Sequence, residues 1–141
     1  MSIKFQSSVL FVADMAASRQ FYEGLLGQIV EMDLGANVGY KSGFALWLIN
    51  SVNEVVFEMA TDLAGGKLGQ RNFELYFESD DLPGVIAALE AADVRFVHPL
   101  HEQPWGQRAV RVYDPDEHMV EIGEPMPLVV KRLLDEGADV A

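Results

Sequence analysis

Val9-Leu10-Phe11-Val12-Ala13-Asp14, followed by the amphipathic run Met15 to Leu26 and closed by Gly27, decides the fold, because its plan returns later in the chain. The second copy is Leu75-Tyr76-Phe77-Glu78-Ser79-Asp80-Asp81, then Leu82 to Ala92, then Val94-Arg95-Phe96-Val97. Each copy reads as strand, aspartate cap, helix, strand. Self-similarity of this kind sets the architecture before local detail does. The expectation is an α+β fold of two βαβββ modules that pair and leave a concave cavity between them, with a short C-terminal helix. Function then sits on the inner faces of the strands.

Working outward, residues 4–12 alternate as a strand does. Asp14 is placed to accept hydrogen bonds from the first free N–H groups of a helix. Phe21, Tyr22, Leu25 and Leu26 fall on one helical face, and Gly27 suits a C-terminal cap. Strands follow at 28–34, 37–42 and 44–50, punctuated by Gly35 and Gly43. This first module spans 4–50. Residues 51–72 read as a connector: Val55, Val56, Phe57 and Met59 suit one or two helical turns, and Gly65-Gly66, Lys67 and Gly69 suit a flexible link. The second module, 73–124, has a strand at 73–80, a helix at 81–92 and strands at 94–98, 107–113 and 118–123. Residues 125–141 form the C-terminal helix and tail, with Pro125 and Pro127 pre-setting a helix from Leu128 to Glu136. The whole of 1–141 reads as one domain.

Composition narrows the class. Half the residues are hydrophobic and 23% are charged, which excludes disorder. Apolar runs fall far short of the ~20 residues a membrane span needs, and no signal peptide opens the chain. The absence of Cys fits a cytoplasmic location and removes thiol chemistry. A formal net charge of -12 repels nucleic acid and anionic membranes and favours cationic partners. No Gly-rich phosphate loop and no Gly-x-Ser-x-Gly elbow is present.

Asp14-Met15-Ala16-Ala17-Ser18-Arg19-Gln20-Phe21-Tyr22 with Leu25-Leu26-Gly27 resembles the signature of the vicinal oxygen chelate superfamily, which includes glyoxalases, extradiol dioxygenases, and fosfomycin and bleomycin resistance proteins. Glu102-Gln103-Pro104-Trp105-Gly106 and Asp114-Pro115-Asp116 resemble segments of its bleomycin-resistance-like branch. Glu117 stands where that last turn usually has Gly. The resemblance covers roughly residues 5–124. It implies a homodimer and, in the metal-dependent members, one ligand on each of four strands. The first lies seven residues before the capping Asp, which gives Ser7 and Glu74 here. The ligand on the last strand maps to Glu121. The remaining position is Leu48 if the fourth strand is Phe44 to Asn50, and Glu58 if it is Val55 to Ala60. The run Gly43-Phe44-Ala45-Leu46-Trp47-Leu48-Ile49 favours the first.

Ser, Leu and two Glu make a poor centre for Zn²⁺ or Fe²⁺, which favour imidazole with carboxylates, and Mg²⁺ or Ca²⁺ want about six oxygens. No metal and no other cofactor is therefore expected, with Glu74 and Glu121 the fallback ligands. His98, His101 and His118 fall in or near turns and read as exposed. Two nearby carboxylates need a cation to answer them. Arg111 alternates onto the face of Ala109 and Tyr113, and its planar fork can bridge Glu74 and Glu121. Trp105, Tyr76 and Trp47, with Tyr40 and Tyr113, are candidate ring surfaces for a planar ligand, although core packing is the blander role. Phe21 and Tyr22 read as structural.

The ligand-binding set is thus Trp105, Tyr76, Trp47, Glu74, Glu121 and Arg111. The function expected is a metal-free small-molecule-binding protein of the glyoxalase/bleomycin resistance kind that sequesters a cationic or aromatic compound. Two alternatives stand beside it: a divalent-metal-dependent lyase or dioxygenase of the same superfamily, and an orphan scaffold without ligand.

Overall fold

A computed structural model describes residues 1–57 and 72–139. Glu58, Met59 and the glycine-rich part of the 51–72 segment lie outside the described residues. The chain forms two compact units, Met1–Leu68 and Gly69–Ala141, each built around its own four-stranded sheet. Among the described residues no helix is long and apolar enough to cross a membrane.

The first unit runs β1 (Ser8–Val12), α1 (Met15–Arg19), β2 (Val30–Asp33), β3 (Asn37–Tyr40), β4 (Phe44–Leu48) and α2 (Ile49–Val55). Its sheet order is β1-β4-β3-β2, with β1 and β4 parallel and the other pairs antiparallel. The second unit runs β5 (Glu74–Glu78), α3 (Leu82–Ala91), β6 (Phe96–Glu102), β7 (Arg108–Tyr113), β8 (Met119–Gly123) and α4 (Met126–Asp135). Its order, β5-β8-β7-β6, repeats the plan with the same parallel and antiparallel pairings. The expected pair of βαβββ modules and the C-terminal helix are therefore present.

Both helices start as the sequence dictates. Asp14 Oδ1 accepts from the Ala17 N–H at 3.0 Å, and Asp81 Oδ1 accepts from the Gly84 N–H at 3.1 Å. Each bond satisfies a donor that the first helical turn would otherwise leave free. Gly27, at φ +64°, ends the first helical segment, and the Gln28 N–H bonds back to the Tyr22 carbonyl at 2.9 Å.

Several boundaries differ from expectation. The helix expected over Met15 to Leu26 is α-helical only to Arg19 and then widens into a π-helical stretch, Gln20–Leu25. β1 starts at Ser8 rather than residue 4, and Ser7 precedes it. The helical turns expected around Val55 to Met59 begin earlier, directly after β4, and Val55 ends them. The strand expected at 94–98 is Phe96–Glu102, with irregular register around His98 and with Pro99 inside it. β6 is the edge of its sheet, where a proline removes no ladder bond that the sheet needs.

Phe21 and Tyr22 are buried as expected, and Tyr22 packs edge-on against Phe44 at 5.2 Å. Tyr40 joins this aromatic core, nearly fully buried, with its hydroxyl donating to Glu23 at 2.9 Å. In the second unit the buried apolar set is Leu82, Leu89, Val110, Val112, Val120 and Ile122, with Ala109 and Val129. Because strand side chains alternate, the residues between Val110 and Val112 and between Val120 and Ile122 emerge on the opposite face of the sheet, and the candidate site is built there.

Candidate functional site

Register places the charged residues. Glu74 pairs with Met119 and Tyr76 with Glu121 across the parallel β5–β8 ladder. Arg111 pairs with Glu121 across β7–β8. Glu74, Tyr76, Arg111 and Glu121 therefore share one sheet face. The Arg111 guanidinium bridges the two carboxylates as expected. Its Nε donates to Glu74 Oε1 and its Nη2 to Glu121 Oε1, both at 2.9 Å. Nη1 donates to Gln103 Oε1 at 3.2 Å and to His98 Nε2 at 3.1 Å. His98 Nδ1 lies 2.7 Å from the Pro99 carbonyl oxygen. A carbonyl only accepts and a guanidinium only donates, so this arrangement fixes the His98 tautomer with its proton on Nδ1.

The three charged groups are largely out of water: the Glu121 side chain is 5% exposed, Arg111 19% and Glu74 28%. Burial, a hydrogen bond with Glu74 and that neighbour's charge push the Glu121 carboxyl up to about 7 against the pull of Arg111. Burial also opposes ionisation of Glu74, but its bonds to Glu121 and Arg111 prevail and hold it below the usual carboxylate range. The pair thus tends to share one proton, with Glu74 the charged member and Glu121 the protonated one.

The second group of candidates lies on the same unit. Trp105 sits in the turn that joins β6 to β7, closed by bonds from the Gln103 N–H to the Gln107 carbonyl and from the Gly106 N–H to the Gln103 carbonyl. Its indole Nε1 donates to Gln107 Oε1 at 2.8 Å. Gln107 Nε2 in turn donates to the Tyr76 hydroxyl and to the Glu124 carbonyl, each at 2.8 Å. The Tyr76 hydroxyl in turn donates to Glu78 Oε2 at 2.7 Å. Gln107 is buried, whereas Trp105 and Tyr76 remain 46% and 45% exposed. A Cβ at Gly123 would stand 2.5 Å from Gln107 Nε2, so glycine is what lets this side chain lie across the sheet. From α4, Arg132 Nη2 donates to the Gly106 carbonyl at 2.6 Å and holds the turn from outside.

Trp47 belongs to the first unit. It pairs with Phe11 on β1, packs edge-on against that ring at 6.2 Å, and donates to Ser51 Oγ at 3.1 Å. Tyr40 is core, and Tyr113 lies under the Arg95 guanidinium at 4.3 Å. Leu48 requires a correction. The fourth strand is Phe44–Leu48, as favoured, but Leu48 pairs with Val12 and shares the parity of buried Leu46. Aligning the two units by their capping aspartates matches Val9 with Tyr76, and their β partners are Ala45 and Glu121. Ala45, not Leu48, is the counterpart of Glu121. Ser7 bonds its own neighbour, Oγ donating to the Ser8 carbonyl at 2.9 Å.

These positions do not fit the metal that the resemblance implies. Ala45 offers no donor atom, and Glu74 and Glu121 each have one oxygen taken by a guanidinium whose charge opposes a metal cation beside them. His101 is exposed as expected, whereas His98 is half-buried and His118 departs fully from expectation. His98 and His101 lie in β6, and His118 is buried rather than exposed. Asp114 explains the burial: its Oδ1 accepts from the N–H groups of Asp116 and His118, and its Oδ2 lies 2.9 Å from His118 Nδ1. Asp114, Asp116 and His118 bring ligand-type atoms within 4.8 Å of one another, but Asp114 has both oxygens committed to closing its own turn. Sequence reasoning did not assign His98, Gln103 and Gln107 to the site. Gln103 stood within the quoted Glu102 to Gly106 segment, and the irregular register of β6 hid the face of His98.

A family model described as a glyoxalase-like domain matches residues 5–127. Among solved structures, a protein of unknown function from Agrobacterium tumefaciens str. C58 is 35% identical, with a TM-score of 0.80 over 89% of this chain and 96% of that one. A glyoxalase/bleomycin resistance protein/dioxygenase from Nocardioides is 20% identical, with a TM-score of 0.67 over 88% and 84% of the two chains. A lactoylglutathione lyase from Agrobacterium tumefaciens is 22% identical, with a TM-score of 0.65 over 90% and 97%. At the last two identities the likeness is one of fold. No functionally curated protein matches the chain.

Proposed function

The chain belongs to the glyoxalase-like family of the vicinal oxygen chelate superfamily, and from that premise we propose that it binds a small molecule without a metal and sequesters it. One observation carries the reading: Arg111 holds both carboxylates that the metal-dependent pattern would assign to an ion. The guest class follows from charge and surface. The Glu74–Glu121–Arg111 group is neutral while the pair shares one proton and gains one negative charge as Glu121 ionises near neutral pH, and the whole chain carries -12. Half-exposed rings at Tyr76 and Trp105 add apolar area with a π face. A cationic aromatic compound suits both features. The structural neighbours include the glyoxalase/bleomycin resistance protein/dioxygenase from Nocardioides, which makes cationic glycopeptides a sensible first probe. A homodimer and a cytoplasmic location complete the proposal.

The test is a tryptophan-fluorescence titration with a panel of cationic aromatic compounds, bleomycin included, against matched anionic and neutral compounds. Saturable binding of cationic members is expected. Binding confined to anionic or neutral compounds overturns the guest class and turns attention to Arg108 and Arg111 as contacts. Turnover that depends on an added divalent ion overturns the sequestration reading itself.

A further inference from the structure

The acceptors that ring the Arg111 guanidinium have one property in common. Glu74 Oε1, Glu121 Oε1, Gln103 Oε1 and His98 Nε2 are all atoms that also bind divalent cations. Two are carboxylate oxygens, one is an amide oxygen and one is an imidazole nitrogen. The imidazole is already in a ligating state, because its other nitrogen is tied to the Pro99 carbonyl, the kind of partner that orients metal-bound histidines. They converge from three strands and the turn after β6 on one cation, and that cation is part of the chain. We propose that Arg111 is the resident cation of a four-donor cage, that it excludes divalent ions from the cage, and that removing it converts the cage into a divalent-cation site.

Charge balance argues for exclusion. Even with both carboxylates ionised the pair and Arg111 sum to -1, and with one proton shared they sum to zero, so a divalent ion added to them would leave +1 or +2 confined with a guanidinium that touches the same oxygens. Ligand bonds to such ions are about 2.0–2.6 Å long, so the ion would approach within a few ångströms of that guanidinium. Without Arg111 the carboxylates sum to -2, which one divalent ion neutralises. The donors are spaced for a planar guanidinium, so they must draw inward by side-chain rotation to hold a single ion. His98 and Gln103 stand on the edge strand and its turn, where that movement disturbs the sheet least. The inference concerns the site invoked for small-molecule binding but does not depend on the identity of the guest.

Co²⁺ is the probe, because its visible absorption changes when imidazole and carboxylate replace water. Wild-type protein, Arg111→Ala, Arg111→Gln, Arg111→Lys and the double variant His98→Ala/Arg111→Ala are titrated with Co²⁺, and thermal shift is read with Mn²⁺ and Zn²⁺. Wild type and Arg111→Lys should give neither a Co²⁺ spectrum nor a stabilising shift. Arg111→Ala or Arg111→Gln should give both at one ion per chain, and loss of His98 should weaken Co²⁺ binding at least about tenfold, the usual cost of disturbing even a supporting partner. Stoichiometric Co²⁺ binding by wild type overturns the inference without any variant. So does a folded Arg111→Ala or Arg111→Gln protein that binds none. If wild type still binds its cationic guest by fluorescence in that last case, only this inference falls and the sequestration reading stands.

Discussion

Arg111 and Glu121 face each other across the β7–β8 ladder and bond at 2.9 Å, with the carboxylate nearly closed to solvent. The partner that makes this burial tolerable is the guanidinium, which Glu74 also shares. Replacing Arg111 with Leu leaves two carboxylates unanswered. Breaking such a buried pair costs about 3–5 kcal/mol, and because Glu74 is partly exposed the lower end, about 3 kcal/mol, is expected here. Urea denaturation at neutral pH measures it. The loss should shrink in mild acid, where the carboxyls protonate. A loss well under 1 kcal/mol would mean that water already screens the group.

Glu121 gives a pH signature of its own. Its folded pKa is raised to about 7 from 4.5, chiefly by burial and by Glu74. Its contribution to stability is therefore present below the unfolded value and lost as pH rises through the folded one. Glu74, held low, contributes in the opposite sense: its share is present above the unfolded value and lost as pH falls through the folded one. Glu121→Gln removes the first effect and keeps a neutral side chain of similar shape. Wild type should lose stability relative to Glu121→Gln as pH climbs from about 4.5 to about 7. Parallel stability curves across that window would show that Glu121 ionises normally.

The residues that were readable in advance are those whose chemistry is local. Asp14 and Asp81 are helix caps wherever they stand before an apolar period, and Arg111 lies two residues from Tyr113 on a strand whose alternation shows in the sequence. What escaped reading depends on tertiary register. The choice between Leu48 and Glu58 follows from which run forms the fourth strand, whereas the face of Leu48 is fixed by its pairing with Val12. The π-helical stretch keeps Phe21, Tyr22 and Leu25 in an apolar spacing that an α-helix also satisfies, so nothing in the pattern shows the widened turn. His118 looks like a turn residue until the Asp114 carboxylate folds the turn around it. Gln107, a polar residue among turn residues, becomes a hub only because Gly123 clears the space beside it.

Glu117 carries a prediction about that same turn. It adopts φ +65°, the left-handed region where a side chain costs about 1–2 kcal/mol and glycine costs nothing. Against this stand its 2.7 Å pair with Arg95, a largely exposed partner worth about 0–1 kcal/mol, and the extra unfolded-state freedom of glycine, about 0.5–1 kcal/mol. Glu117→Gly should be neutral to stabilising by up to about 1 kcal/mol, read as an unchanged or raised Tm. A clear fall in Tm would mean that the contacts of Glu117 outweigh its backbone strain.

Trp105 and Gln107 supply the last prediction. Two indoles contribute to fluorescence, so the measurement is made in a Trp47→Phe background, where the signal belongs to Trp105 alone. In the proposed guest-binding role Trp105 provides a ring face, and its replacement by Ala should weaken binding of the best cationic compound by roughly 1–3 kcal/mol, read by calorimetry because that variant has no indole left in this background. Gln107 lies beneath it and fixes the indole by accepting from Nε1 while donating to Tyr76 and Glu124. Gln107→Leu removes these hydrogen bonds at about 0.5–1.5 kcal/mol each, because the half-exposed Trp105 and Tyr76 can turn to water instead. It should also free the indole, so that Trp105 emission shifts to the red and guest affinity falls although Gln107 touches no guest. Affinity unchanged in Gln107→Leu with a red-shifted indole would show that the orientation of Trp105 does not matter. Affinity unchanged in Trp105→Ala would remove Trp105 from the binding surface altogether.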